Sequence, residues 1–111
     1  MTEVVLDLSV LESMFGDDDE LRGAILEEFK HSSIPYMAEF DEAVSLNNAE
    51  GVKSLAHKLK SSSRTVGACP LGDLCEQLES LAPQANWSQI KDLGASIKVG
   101  LDEVIAAIDS L

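Results

Sequence analysis

The chain is 111 residues long and carries 20 acidic against 8 basic side chains, a formal net charge of −12 with a sequence pI near 4.3. Charge of that sign is repelled by a phosphate backbone and by anionic lipid, so no nucleic-acid partner and no membrane association are expected. Hydrophobic residues make up 45% but aromatics only 5%, which predicts one small aliphatic core of packed helices and a single domain over residues 1–111.

From the N-terminus onward, Met1 to Val10 has no basic start followed by a long apolar segment, and no later run approaches a membrane-spanning length, so a cytoplasmic protein is expected. Ser9, three residues before Glu12, is a capping-box pattern for a short first helix with apolar Val10, Leu11, Met14 and Phe15, stopped by Gly16. Asp17, Asp18, Asp19 and Glu20 then supply an acidic first turn that suits a helix N-terminus. Beyond Leu21, the apolar positions Ala24, Ile25 and Phe29, then Tyr36, Met37, Phe40 and Val44, recur at helical spacing. Pro35 between the two sets predicts a kink or a restart, with Ser32 or Ser33 as the new cap. His31 at that junction has no basic or nucleophilic neighbour in sequence and is expected to be structural or solvent-facing.

Asn47 with Glu50 is a second box-like pattern, opening a central helix from about Ala49 to Thr65, and Gly67 supplies the turn after it. Pro70 suits a first helical position, and Leu71, Leu74, Cys75, Leu78 and Leu81 form a core stripe until Pro83. Asn86 with Gln89 caps the last helix, whose Ile90, Leu93, Ile97, Leu101, Val104, Ile105, Ile108 and Leu111 repeat at near-heptad spacing. Short connections force sequential helices antiparallel. The expected fold is therefore all-α, an antiparallel up-and-down four-helix bundle with a short extra N-terminal helix. Cys69 and Cys75 are expected to be reduced core residues, being too few and too close for a disulfide framework.

The central helix concentrates the positive charge. Lys53, Lys58, Lys60 and Arg64, half of the basic residues, lie in a window whose nearest carboxylates are Glu50 and Asp73. At roughly 100° per residue, Val52, Ala56, Leu59, Ser63 and Val66 fall within an arc of roughly 80° and form a buried stripe. His57, Lys53, Lys60, Ser61 and Arg64 share a second arc, centred roughly 120° away, while Lys58 points elsewhere and reads as ordinary surface. Cations beside the imidazole disfavour its charged form and leave a neutral ring with a lone pair for attack. They also favour a dianionic group carried by that ring afterwards.

Antiparallel helices about Gly67 bring residues equally far from it together. His57 lies ten before it and Glu79 twelve after, so Glu79 is placed to hydrogen-bond one ring nitrogen and leave the other facing solvent, with Glu76 and Gln77 as nearby alternatives. Phosphoryl transfer asks for an in-line donor, an unhindered nucleophile and cations near the equatorial oxygens. No GxxxxGK[ST] loop, GxGxxG or Asp/Asn set for Mg²⁺ is present, so no ATP-dependent kinase activity is expected of the chain itself.

The run Ala56 to Ala68, AHKLKSSSRTVGA, resembles the signature of the histidine phosphotransfer (HPt) domain: His, any residue, Leu, Lys, Gly, two small residues, then a Gly-Ala or Gly-Leu pair ten residues after the histidine. His57, Leu59, Lys60, Ser62, Ser63, Gly67 and Ala68 match in register, and Ser61 stands where glycine is usual. The resemblance implies that His57 accepts a phosphoryl group from a receiver-domain aspartyl phosphate and passes it to another receiver. Lys60, Arg64, Lys53, Ser61 and Glu79 would then bind the phosphoryl group or the partner. The implied partners are receiver domains of response regulators and of hybrid sensor histidine kinases; Mg²⁺ would be the receiver's, and the chain would need no cofactor and act as a monomer. The alternative is a non-catalytic helical-bundle adaptor for a signalling partner. A metal-binding bundle is the weakest reading, since Glu28 and His31 form only one of the two Glu-x-x-His pairs that such a site requires.

Overall fold

The computed structural model describes residues 4–111, so the first three residues of the N-terminal segment read above for a leader lie outside the described residues. Among the described residues six α-helices follow one another: α1 Leu8–Phe15, α2 Asp19–Ser33, α3 Tyr36–Ser45, α4 Ala49–Thr65, α5 Cys69–Leu81 and α6 Trp87–Asp109, with a 3₁₀ turn at Ala82–Gln84. There is no strand among the described residues. The backbone stays right-handed helical through Ile34 and Pro35, so α2 and α3 act as one interrupted arm of the expected bundle. The other arms are α4, α5 and α6, and α4 against α5 is the largest interface.

Leu26, Phe29, Phe40, Val52, Leu59, Leu71, Leu78, Ile90, Ile97, Leu101, Val104 and Ile108 are buried in one aliphatic core. The core stripe predicted for the central helix is buried at all five positions, Ser63 included. Leu111 departs from expectation: it lies beyond the last helical residue, Asp109, and is exposed. Of the two cysteines only Cys75 is buried; Cys69 opens α5 at its exposed N-terminus. Burial pushes the Cys75 thiol up to about 12, which keeps it protonated and unreactive.

Three caps sit elsewhere than the sequence suggests. The Asp7 carboxylate, not Ser9, caps α1, accepting from the Ser9 N–H at 3.0 Å and the Ser9 hydroxyl at 2.6 Å. An ionised carboxylate is the stronger acceptor of the two candidates, so it takes the capping role. At α4 the cap is Asn48, which accepts from the Gly51 N–H at 2.9 Å, while Asn47 takes a left-handed φ of 52° to end the preceding turn. Neither Ser32 nor Ser33 caps α3; both hydroxyls donate back to carbonyls of α2, at 3.3 Å. A chain that never leaves helical dihedrals has no extended residue from which a side chain can cap.

The turn between α4 and α5 fixes the relation on which the site depends. Gly67 has φ 87°, and a side chain there would run into the backbone carbonyl of Asp7, whose N–H donates to the Gly67 carbonyl at 2.9 Å. Only glycine satisfies both demands. The segment leading into α1 thus straps the turn.

Candidate functional site

The apolar face of α4, buried against its neighbours, turns His57 outward. Its side chain retains 61% of its exposure, against 19% for both Lys60 and Glu79. From α5, Glu79 reaches across the interface and divides its carboxylate between two partners. Oε2 lies 2.7 Å from Nδ1 of His57, and Oε1 accepts from Nζ of Lys60 at 2.5 Å. The Lys60 ammonium first, and the His57 ring second, hold the Glu79 carboxyl below the usual carboxylate range, so at neutral pH it is ionised. An ionised carboxylate only accepts, so Nδ1 must be the protonated nitrogen. Nε2 then carries the lone pair, and no group among the described residues hydrogen-bonds it.

The cations differ from the uniform patch that the helix arc suggests. Arg64 does not stand beside the ring ready for an anion: its Nη2 donates to Asp73 at 3.2 Å and to Glu76 at 3.0 Å, both on α5. Its stem lies over Gly72, where an added Cβ would come within 2.8 Å of the Arg64 Cγ. Lys60 is held by Glu79. The surroundings of the ring are therefore a carboxylate braced by an ammonium, and not the cluster of uncompensated cations that spacing on one helix implied. Lys53, one turn N-terminal to His57, is exposed and has no ion-pair partner among the described residues. Ser61 is exposed, and its carbonyl accepts from the Thr65 hydroxyl at 2.9 Å.

The structure thus brings His57, Lys60 and Glu79 together, leaves Lys53 and Ser61 on the same outward face, and ties Arg64 down. The residues that tie it were missed. Their signal was in the chain: Asp73, Glu76 and Glu79 recur every three residues on α5, an acidic stripe at helical spacing opposite the basic one. His31, whose side chain is 74% exposed, pairs among the described residues with the Glu27 carboxylate alone, at 3.9 Å. Among the described residues no group of three or more potential metal ligands is assembled, and no helix is long and apolar enough to cross a membrane.

No curated protein matches the chain. Among solved structures, the chain is similar to histidine-containing phosphotransfer protein B (HptB) of Pseudomonas aeruginosa PAO1, with a TM-score of 0.89 over 98% of this chain and 95% of that one. At 21% identity this likeness speaks for the helical bundle fold. The family model described as the Hpt domain matches residues 24–110, a span that runs from α2 to the last turn of α6 and takes in the whole α4–α5 site. That match, over most of the chain and across the helix pair that carries the His57 imidazole, places the chain in the Hpt domain family, the histidine-containing phosphotransfer proteins of phosphorelays.

Proposed function

We propose that His57 is the phosphoryl-carrying residue, taking the group from an aspartyl phosphate on one receiver domain and passing it to the aspartate of another. The observation that carries this reading is the exposed His57 ring itself, projecting from α4 with Nδ1 on Glu79 and Nε2 without a hydrogen-bond partner among the described residues. In the loading step the Nε2 lone pair bonds to phosphorus, the bond from phosphorus to the aspartate oxygen breaks, and the carboxylate leaves with its electron pair. The divalent metal that such a transfer employs is the receiver's own, and the chain acts as an intermediate without kinase activity.

Lys60, one turn along α4 from His57 and sharing the Glu79 carboxylate with it, is assigned to the equatorial phosphoryl oxygens. Lys53 and the Ser61 hydroxyl extend the same face toward the partner, and the acidic pocket of a receiver suits the ammonium groups in sign. Arg64 has a lesser part, since two carboxylates already engage it. Work in the cytoplasm fits the free thiols of Cys69 and Cys75.

Incubation with a phosphorylated receiver is expected to leave acid-labile, alkali-stable label on the wild-type chain and none on His57→Gln, with helical content unchanged. Equal labelling of both overturns the assignment.

A further inference from the structure

One carboxylate touches both reactive members of the site, and no second acid among the described residues pairs with the ring. The charged groups around His57 are Lys53 and Lys60 on its own helix and, across the interface on α5, Glu79, with Glu76 a turn away and engaged by Arg64. α2 and α3 also pack on α4, and none of their charged side chains, Glu39, Asp41 and Glu42 of α3 included, is paired with the ring among the described residues; the 3₁₀ turn contributes Ala82, Pro83 and Gln84, none of them charged.

We propose that Glu79 keeps the Nδ1 proton in place throughout the phosphorylated state and thereby sets the lifetime of the phosphohistidine, while releasing Lys60 to the phosphoryl group. This rests on the reading of His57 as the phosphoryl carrier. Phosphorylation of Nε2 with Nδ1 still protonated yields a phosphoimidazolium, a cation facing the Glu79 carboxylate. An adjacent anion favours the charged ring and raises the affinity of Nδ1 for its proton. In the outward step an acceptor carboxylate oxygen bonds to phosphorus and the P–Nε2 bond breaks. Its electron pair returns to Nε2, and the leaving group is neutral imidazole with the Nδ1 proton unmoved. Without that proton the group departing would be an imidazolide anion, a far poorer leaving group.

Lys60 makes the hold adjustable. Before loading, Oε1 of Glu79 is engaged by its ammonium. A dianionic phosphoryl group on the ring is a stronger attraction for that ammonium. Once Lys60 turns to it, the whole charge of Glu79 faces the ring. The lowered pKa of Glu79 means that the carboxylate is still ionised through the neutral and mildly acidic range in which the exchange matters.

The test uses the full chain in a His31→Gln background, so that His57 is the single imidazole, loaded chemically with phosphoramidate and therefore without any receiver. Loss of phosphohistidine is followed by ³¹P NMR from about pH 5 to about pH 10. Glu79→Gln keeps an acceptor for Nδ1 but removes the charge, and its profile is expected to shift at least about one pH unit to the acid side, lengthening the lifetime near neutrality about tenfold. Lys60→Met, which leaves Glu79 to the ring alone, is expected not to move the profile to the acid side, and an acid shift as large as that of Glu79→Gln would overturn the proposal. Superposable profiles for wild type and Glu79→Gln overturn the proposal, as does a lifetime shortened by that substitution. Failure of transfer from a phosphorylated receiver would instead overturn the relay reading and leave this profile unaffected.

Discussion

Lys60 and Arg64 lie one turn apart on the same face of α4, and both point toward α5, but their carboxylate partners differ in kind. Lys60 shares its acceptor with the reacting ring. The acceptors of Arg64 have no other ion-pair partner among the described residues, and its stem is laid across Gly72. Moving Lys60 to a phosphoryl oxygen exchanges one short contact for another, and Glu79 keeps the His57 contact. Freeing Arg64 breaks two contacts and strips a helix–helix packing. Lys60→Met is therefore expected to slow phosphoryl transfer from a receiver about 10- to 100-fold, the range for losing one charged donor at a partly exposed transition state. Arg64→Met is expected to stay within about threefold of wild type in transfer and to lower the melting temperature slightly, mainly through lost stem packing. Single-turnover transfer kinetics beside thermal melts check both. Equal slowing by the two substitutions would return Arg64 to the phosphoryl site.

The helices were legible because their period is printed in the apolar residues. Val52, Ala56, Leu59, Ser63 and Val66 needed nothing beyond a 3.6-residue repeat to be assigned to the core, and all five are buried. The contact between His57 and Glu79 was legible for a related reason: Gly67 is an obvious turn, and counting outward from it pairs the two helices. Caps were harder, because Asn47 and Asn48 are chemically identical and the left-handed φ of the first is decided by how α3 ends. Arg64 was harder still, since one helix shows which residues share a face but not which charges on the next helix reach them. The strap over the α4–α5 turn was invisible from sequence. Its consequence is that Gly67→Ala must bear both a left-handed dihedral and the Asp7 carbonyl. A loss of about 3 kcal/mol is expected in denaturant titration. Because the turn sets the α4–α5 register, phosphoryl uptake should fall with it; a neutral substitution would show that the strap does not hold the turn.

The charge of the whole molecule acts against these local bonds. At −12, the carboxylates outnumber the cations that could neutralise them, and of eight basic residues Arg22, Lys30, Lys60 and Arg64 are already paired. The excess is spread over the surface of a small bundle and repels itself, a destabilisation that reaches over several ångströms and is screened by salt. Contacts such as Lys60 to Glu79 are shorter than any practical screening length and respond less. The Glu79 carboxyl, lowered by Lys60 and His57, and the Asp7 carboxyl, lowered by the side-chain and backbone groups of Ser9, contribute stability above their unfolded pKa values, near about 4. That contribution is lost as the pH falls through their lower folded values. Between neutrality and that window, acidification removes repulsion before it removes the bonds. Thermal stability at low ionic strength is therefore expected to rise from pH 7 toward about pH 5 and to fall steeply below about pH 4. At pH 7, raising NaCl from about 0.01 to about 0.3 M should likewise increase the melting temperature by a few degrees. A melting temperature that drops with salt would mean that ion pairs outweigh the repulsion. The net charge of −12 would then not be what limits the stability of the bundle.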